Sequence, residues 1–220
     1  DASVVWTLEG RVIVPSGVTL TIPAGTIIKA TAGTGANASS LVVARGGMLM
    51  AEGTASAPII MTSESDDITV GQTAGSSLTE NVRGLWGGLL VMGNAPCSFS
   101  GDVAELQIEG IPASETAGLY GGSDPADNSG VIQYVSIRHG GAEIGEGNEI
   151  NGLTLGGVGT GTTIDHIEVV GNVDDGIEFF GGTVNASELL VWGQGDDGLD
   201  IDQAYSGTIS NSMVILNSAS

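Results

Sequence analysis

Two short acidic runs recur at a fixed interval near the C-terminus: Asp174-Asp175-Gly176-Ile177-Glu178 and Asp196-Asp197-Gly198-Leu199-Asp200, 22 residues apart. If one turn of a coiling chain separates them, their carboxylates stack about 5 Å apart, the spacing of paired strands. Like charges at that distance repel until a proton or a cation stands between them. A Ca²⁺ ion would relieve the repulsion, because it accepts several carboxylate and carbonyl oxygens in flexible geometry. Asp174, Asp175, Glu178, Asp196, Asp197, Asp200 and Asp202 form the candidate ligand set. The plainer reading is that Asp-Gly makes a turn whose carboxylate is solvated or caps backbone amides. No stretch matches an EF-hand loop or a Gly-Asp nonapeptide repeat.

The elements that must position these acids are strands. Short alternating β-rich runs recur between Gly, Asn and Asp punctuation, among them Val18 to Ile22, Leu41 to Ala44, Leu89 to Met92, Gln133 to Arg138, Ile164 to Val170 and Glu188 to Trp192. The 22-residue shift also carries Ile167 and Val169 onto Leu189 and Val191, while Asn151-Gly152-Leu153 precedes Asp175-Gly176-Ile177 by 24. A period near 22 fits one coil of a solenoid with three short strands. The expected fold is therefore all-β, a single-stranded right-handed parallel β-helix occupying 1–220 as one domain. Ile177 over Leu199 and Phe179 over Ile201 are expected as interior ladders, with Glu178 over Asp200 facing water. The less periodic, polar segments 63–82 and 94–130 are expected to be long surface loops.

Composition agrees with this class. There are 37 Gly, 6 Pro and 41% hydrophobic residues, too apolar for disorder and too glycine-rich for a helical bundle. Five Lys and Arg against 26 Asp and Glu give a net charge of -21, which repels phosphate backbones and anionic bilayers. Nucleic acid and membrane insertion are excluded as partners on these grounds and on the lack of a long apolar run. A lone Cys97 forms no internal disulfide, so the fold must hold without covalent staples.

The motifs Leu41–Glu52 (LVVARGGMLMAE), Gly84–Gly93 (GLWGGLLVMG), Gln107–Asp124 (QIEGIPASETAGLYGGSD), Val135–Gly141 (VSIRHGG), Glu149–Gly157 (EINGLTLGG) and Asp174–Gly182 (DDGIEFFGG) resemble one family. It comprises large secreted, mostly uncharacterised bacterial proteins, many of Bacteroidetes type with a C-terminal surface-attachment domain. The resemblance runs from about residue 6 to 205. It implies a parallel β-helix and a secreted or cell-surface address, and it brings no catalytic residues. Against that pattern, no attachment domain is expected in the residues up to Ser220.

Paired carboxylates on a β-helix also fit a polysaccharide hydrolase, with one acid protonating the leaving oxygen and another activating water. Polygalacturonase-like enzymes add a His and an Arg-Lys element to hold an acidic sugar, and no Arg, Lys or His follows Asp202. A lyase needs an Arg or Lys base, and only Arg138 lies in the regular C-terminal coils. Arg138 has a structural role available, neutralising Glu143, Glu146 or Glu168. His139 is a candidate base, and His166 is expected against a neighbouring side chain. Trp86 reads as core and Trp192 as exposed. Strand-like runs at both ends, Val4-Val5-Trp6 and Met213 to Leu216, raise self-association or joining to neighbouring domains through end coils. The expectation is thus a non-enzymatic extracellular scaffold, adhesive or filament-forming element stabilised by Ca²⁺. The alternative is a polysaccharide-degrading enzyme or glycan-binding module.

Overall fold

In the computed structural model, residues 1–109, 111–112, 114–145 and 148–217 are described. Their strands stack in parallel into three walls around one core. The first wall stacks Val5–Leu8, Ile27–Ala30, Ile59–Ser63, the second halves of Gly130–Arg138, Thr163–Val170 and Ala186–Trp192, and Met213–Ile215. The second stacks Arg11–Val14, Ser40–Val43, Leu89–Met92, Leu153–Gly156, Ile177–Phe180 and Leu199–Asp202. The third stacks Thr19–Ile22, Met48–Glu52, the first halves of the three long strands, and Ile209–Ser210. The chain is a parallel β-helix. Among the described residues there is no α-helix, and so none long and apolar enough to cross a membrane.

Alternation places one side chain in two inside, and the stacking turns each inward position into an apolar ladder. On the first wall that ladder runs Trp6, Ile28, Met61, Ile137, Val169, Val191, Val214. On the second wall Leu153, Ile177 and Leu199 are in register, as are Leu155, Phe179 and Ile201. Ile201 is nonetheless 55% exposed, because it lies on the last strand of its wall. The coil length is 22 residues from Val5 to Ile27 and again from Glu168 to Leu190.

Elsewhere insertions lengthen the coil. They extrude at 64–88 and 93–129, close to the two expected loops, and also at 31–39 and 139–152. The long ones are more than surface loops. Ile68 packs on Ile27 and Ile60 outside the first wall, while Phe99, Ile108, Ile111 and Tyr120 pack on Val42, Leu90 and Met92 outside the second. Among the described residues antiparallel strand pairs occur within insertions, between Leu106–Gln107 and Leu119–Tyr120 and between Glu143–Gly145 and Asn148–Glu149, and a single antiparallel bridge joins Thr54 to Ala57 at a corner.

In the three long strands the corner between the third and first walls is a single residue in the left-handed region: Tyr134 (φ 49°), His166 (51°) and Glu188 (56°), followed by Asn211 (51°) between Ile209–Ser210 and Met213–Ile215. One such residue reverses the side-chain alternation and turns the strand without breaking the stack. Gly130, at φ 110°, starts the first of these strands against Leu49, whose carbonyl oxygen would lie 2.2 Å from an added Cβ. Gly130→Ala is expected to lower the unfolding free energy by about 1–3 kcal/mol or more, read as a shift in urea midpoint at unchanged slope.

Candidate metal centre at an acidic corner

The acidic runs form the corners that lead from the first wall to the second. Their glycines are required by close approach. A Cβ on Gly176 would stand 2.2 Å from Val191 Cγ1, and one on Gly198 would stand 2.4 Å from Val214 Cγ1, as one on Gly152 would from Val169. Backbone bonds then lock corner to corner: Gly152 N to Asp175 O at 3.1 Å, and Gly176 N to Asp197 O at 2.9 Å. Asn172, fully buried, adds a side-chain bond of 2.8 Å from Nδ2 to Asp175 O. The acids therefore stack because glycine must sit against the core valines and the residue before it must face out.

Five of the seven candidate ligands converge. Carboxylate oxygens of Asp174, Asp175 and Asp196 lie within 4.8 Å of one another, and so do those of Asp175, Glu178 and Asp200. Asp175 belongs to both groups and bridges them. The structure does not bring Asp197 or Asp202 into either group. Asp197 contributes its backbone N–H to Asp175 Oδ1 at 2.9 Å, and Asp202 ends the strand beyond Phe180. Two oxygens bound to one Ca²⁺ at about 2.4 Å can be no more than about 4.8 Å apart, so each trio has the spacing of a hard-cation site. A thiol or imidazole is absent from both trios, which disfavours zinc.

Glu178 does not face water as the alternation implies. It points out of the second wall, but Asn151 donates from Nδ2 to its Oε2, and only 7% of it is exposed. Burial first, then the negative charges of Glu109 and Asp175, push its carboxyl up to about 9. Burial and the charges of Asp174, Asp200 and Asp197 push Asp175 up to about 7, against the Asp197 amide, which holds it down. Asp174 is raised by burial, Glu149 and Asp196. The charges acting most strongly on all three are negative.

Glu109, Glu149 and Asn151 were not legible as site residues, since the first two arrive on insertions. Asn151 had a signal, because its alignment with Asp175 put it one coil below the acid. The acids are also unevenly spread: residues 101–220 hold 19 of the 26 carboxylates and one of the five basic residues. A uniform solubilising shell does not account for that asymmetry.

The other candidates are engaged elsewhere. Arg138 lies on the first wall, with Nη2 3.1 Å from Glu168 Oε2 and Nε 2.7 Å from Ser136 Oγ. That is the pairing with Glu168 expected from charge; Glu143 is not its partner, and Glu146 lies outside the described residues. His139 is buried with Nδ1 2.7 Å from Val82 O, and burial lowers its pKa. His166 stacks on Tyr134 at 4.1 Å and pairs with Asp165. Ser136, Arg138, His166 and Glu168, but not His139, line an open groove of about 520 Å³ with Glu188. The Cys97 sulfur donates to Phe180 O, and burial pushes the thiol up to about 11, so it is a poor nucleophile. Trp86 is core, its indole donating to Arg138 O at 2.7 Å, and Trp192 is exposed.

Comparison with curated proteins and with solved structures finds no match. The chain matches the family model described as a pectate-lyase-like β-helix domain over residues 1–220, and it belongs to that family.

Proposed function

We propose that this chain is a structural, non-enzymatic segment of a secreted or surface-exposed bacterial protein, with Ca²⁺ held at the acidic corner of its last coils. The observation that carries the reading is the convergence of five carboxylates on two neighbouring coils with no basic partner among the ligand trios. A cation there neutralises charges that otherwise push the coils apart, and it bridges the corner of one coil to the next. Arg138, the residue that would equip the acids for a saccharide lyase, is on another wall and tied to Glu168. The end coils expose apolar edges, with Trp6 49% and Met213 61% accessible. Self-association, or joining to neighbouring domains, runs through them in this reading.

A second reading has its own support. The groove bearing Ser136, Arg138, His166, Glu168 and Glu188 could hold a glycan, and the family is described by its likeness to a polysaccharide-cleaving fold. Fold likeness alone is weak warrant for activity.

One experiment separates them. Calcium at about 100 times its dissociation constant is expected to add about 2.7 kcal/mol, or roughly 5–10 °C in Tm, relative to chelator. No sugar release from a panel of acidic and neutral polysaccharides is expected under the same conditions. An unchanged Tm together with released oligosaccharides, lost on Arg138→Ala, would replace the scaffold with the enzyme.

A further inference from the structure

A small chamber of about 10 Å³ lies beside the acidic corner, between two insertions and the second wall. Glu109 enters from the 93–129 insertion and Glu149 from the hairpin of the 139–152 insertion; Asn151 stands at the end of that second insertion, where it rejoins the solenoid, and Thr154 belongs to the second wall. Leu90, Ile108 and Ile150 line it as well, and it is partly open to solvent. That volume is about one sphere the size of a water molecule or a coordinated ion.

The chemistry of the lining points to the occupant. Asn151 is 2% exposed, and its Oδ1 has no hydrogen-bond partner, since the amide spends Nδ2 on Glu178. A buried carbonyl oxygen without a partner has lost its hydration and regained nothing, so a group that pairs with it is favoured. Two carboxylates, an amide oxygen and a hydroxyl are four oxygen donors, and no basic residue lines the chamber. Hard oxygen ligands of this kind, with an amide carbonyl among them, suit Ca²⁺.

We propose that this chamber is a second divalent-cation position, in which Ca²⁺ is bound by Glu109, Glu149, Asn151 Oδ1 and Thr154 Oγ1 and fastens both insertions to the second wall. It is separate from the corner site, to which it is linked through the Asn151–Glu178 hydrogen bond. The ion acts as a clamp: it ties segments that leave the solenoid from different walls to one outward position of the helix. On the second wall that outward row runs Ile13, Val42, Leu90, Thr154, Glu178, Asp200. Insertion side chains cover its apolar end, and charged oxygens hold its polar end.

Calcium titration calorimetry on the whole chain, with two double variants, tests the assignment. The wild type is expected to bind two equivalents. Glu109→Gln/Glu149→Gln should lose one and keep the corner, and Asp196→Asn/Asp200→Asn should lose the other and keep the chamber. Hydrogen exchange gives a second readout. At calcium ten times the dissociation constant, amides beside Glu109 and Glu149 should exchange about tenfold more slowly than in chelator in the wild type, and at an unchanged rate in the Glu109/Glu149 variant. Wild-type stoichiometry and protection in that variant would mean that the chamber holds water only, and would overturn the proposal while leaving the corner site intact. Loss of all binding in Asp196→Asn/Asp200→Asn would overturn it as well, and no calcium binding by the wild type would remove both sites.

Discussion

Phe179→Ala is expected to lower the unfolding free energy by about 3–5 kcal/mol, the range for deleting a buried aromatic ring. Phe179 is fully buried between Leu155 and Ile201 in the inward ladder of the second wall, and its ring packs at 4.8 Å on Tyr205. The cavity would open beneath Leu199–Asp202, the last described strand of the second wall. In a solenoid each coil is held mainly by its neighbours, so the damage should be local. Hydrogen exchange is expected to show protection lost from Ile177–Phe180 and the later strands while Val5–Leu8 and Ile27–Ala30 keep theirs. Uniform loss of protection along the chain, or a change below about 1 kcal/mol, would contradict the stacked interior.

The second large effect is one of charge. In chelator at pH 8, Glu178→Gln is expected to stabilise the protein by on the order of a few kcal/mol. The folded state holds the Glu178 proton up to about pH 9, against an ordinary value of 4.5. A carboxyl raised in this way contributes stability that is fully present below the ordinary value and is lost as pH climbs toward the folded one. Asp175 acts in the same direction between 3.8 and about 7. The groups that face Glu178 are Glu109, Asp175, Asp200 and the Asn151 amide, and none of them is positive. Wild-type stability in chelator should therefore fall from pH 4.5 to 9, and the Gln variant should fall less. Calcium should reverse the wild-type loss and do less for the variant. Equal stabilities at pH 8 without calcium would show that Glu178 is solvated and that the corner carries no stored repulsion.

The repeat was readable because the core imposes it. Gly176 and Gly198 must sit against Val191 and Val214, so Asp-Gly recurs at the coil length, and Ile177 and Leu199 follow into the interior. Register thus came directly from spacing. The burial of Glu178 did not, because alternation tells which side of a sheet a residue takes and not what covers that side. The cover comes from insertions whose sequences follow no period. Glu109 and Glu149 were hidden for the same reason. The one-residue corners were also missed: His166 and Asn211 are of types enriched at positive φ, but Tyr134 and Glu188 are not and are held there by the stack.

The most direct test of the acidic corner as a cation site is an X-ray structure of the protein grown in saturating calcium, with anomalous differences recorded at long wavelength. An ion is expected about 2.3–2.6 Å from oxygens of Asp175 and of a carboxylate on the neighbouring coil, Asp196 or Asp200. Carboxylates of Asp174, Asp175, Glu178, Asp196 and Asp200 that stay apart, with no anomalous density among them, would contradict the account.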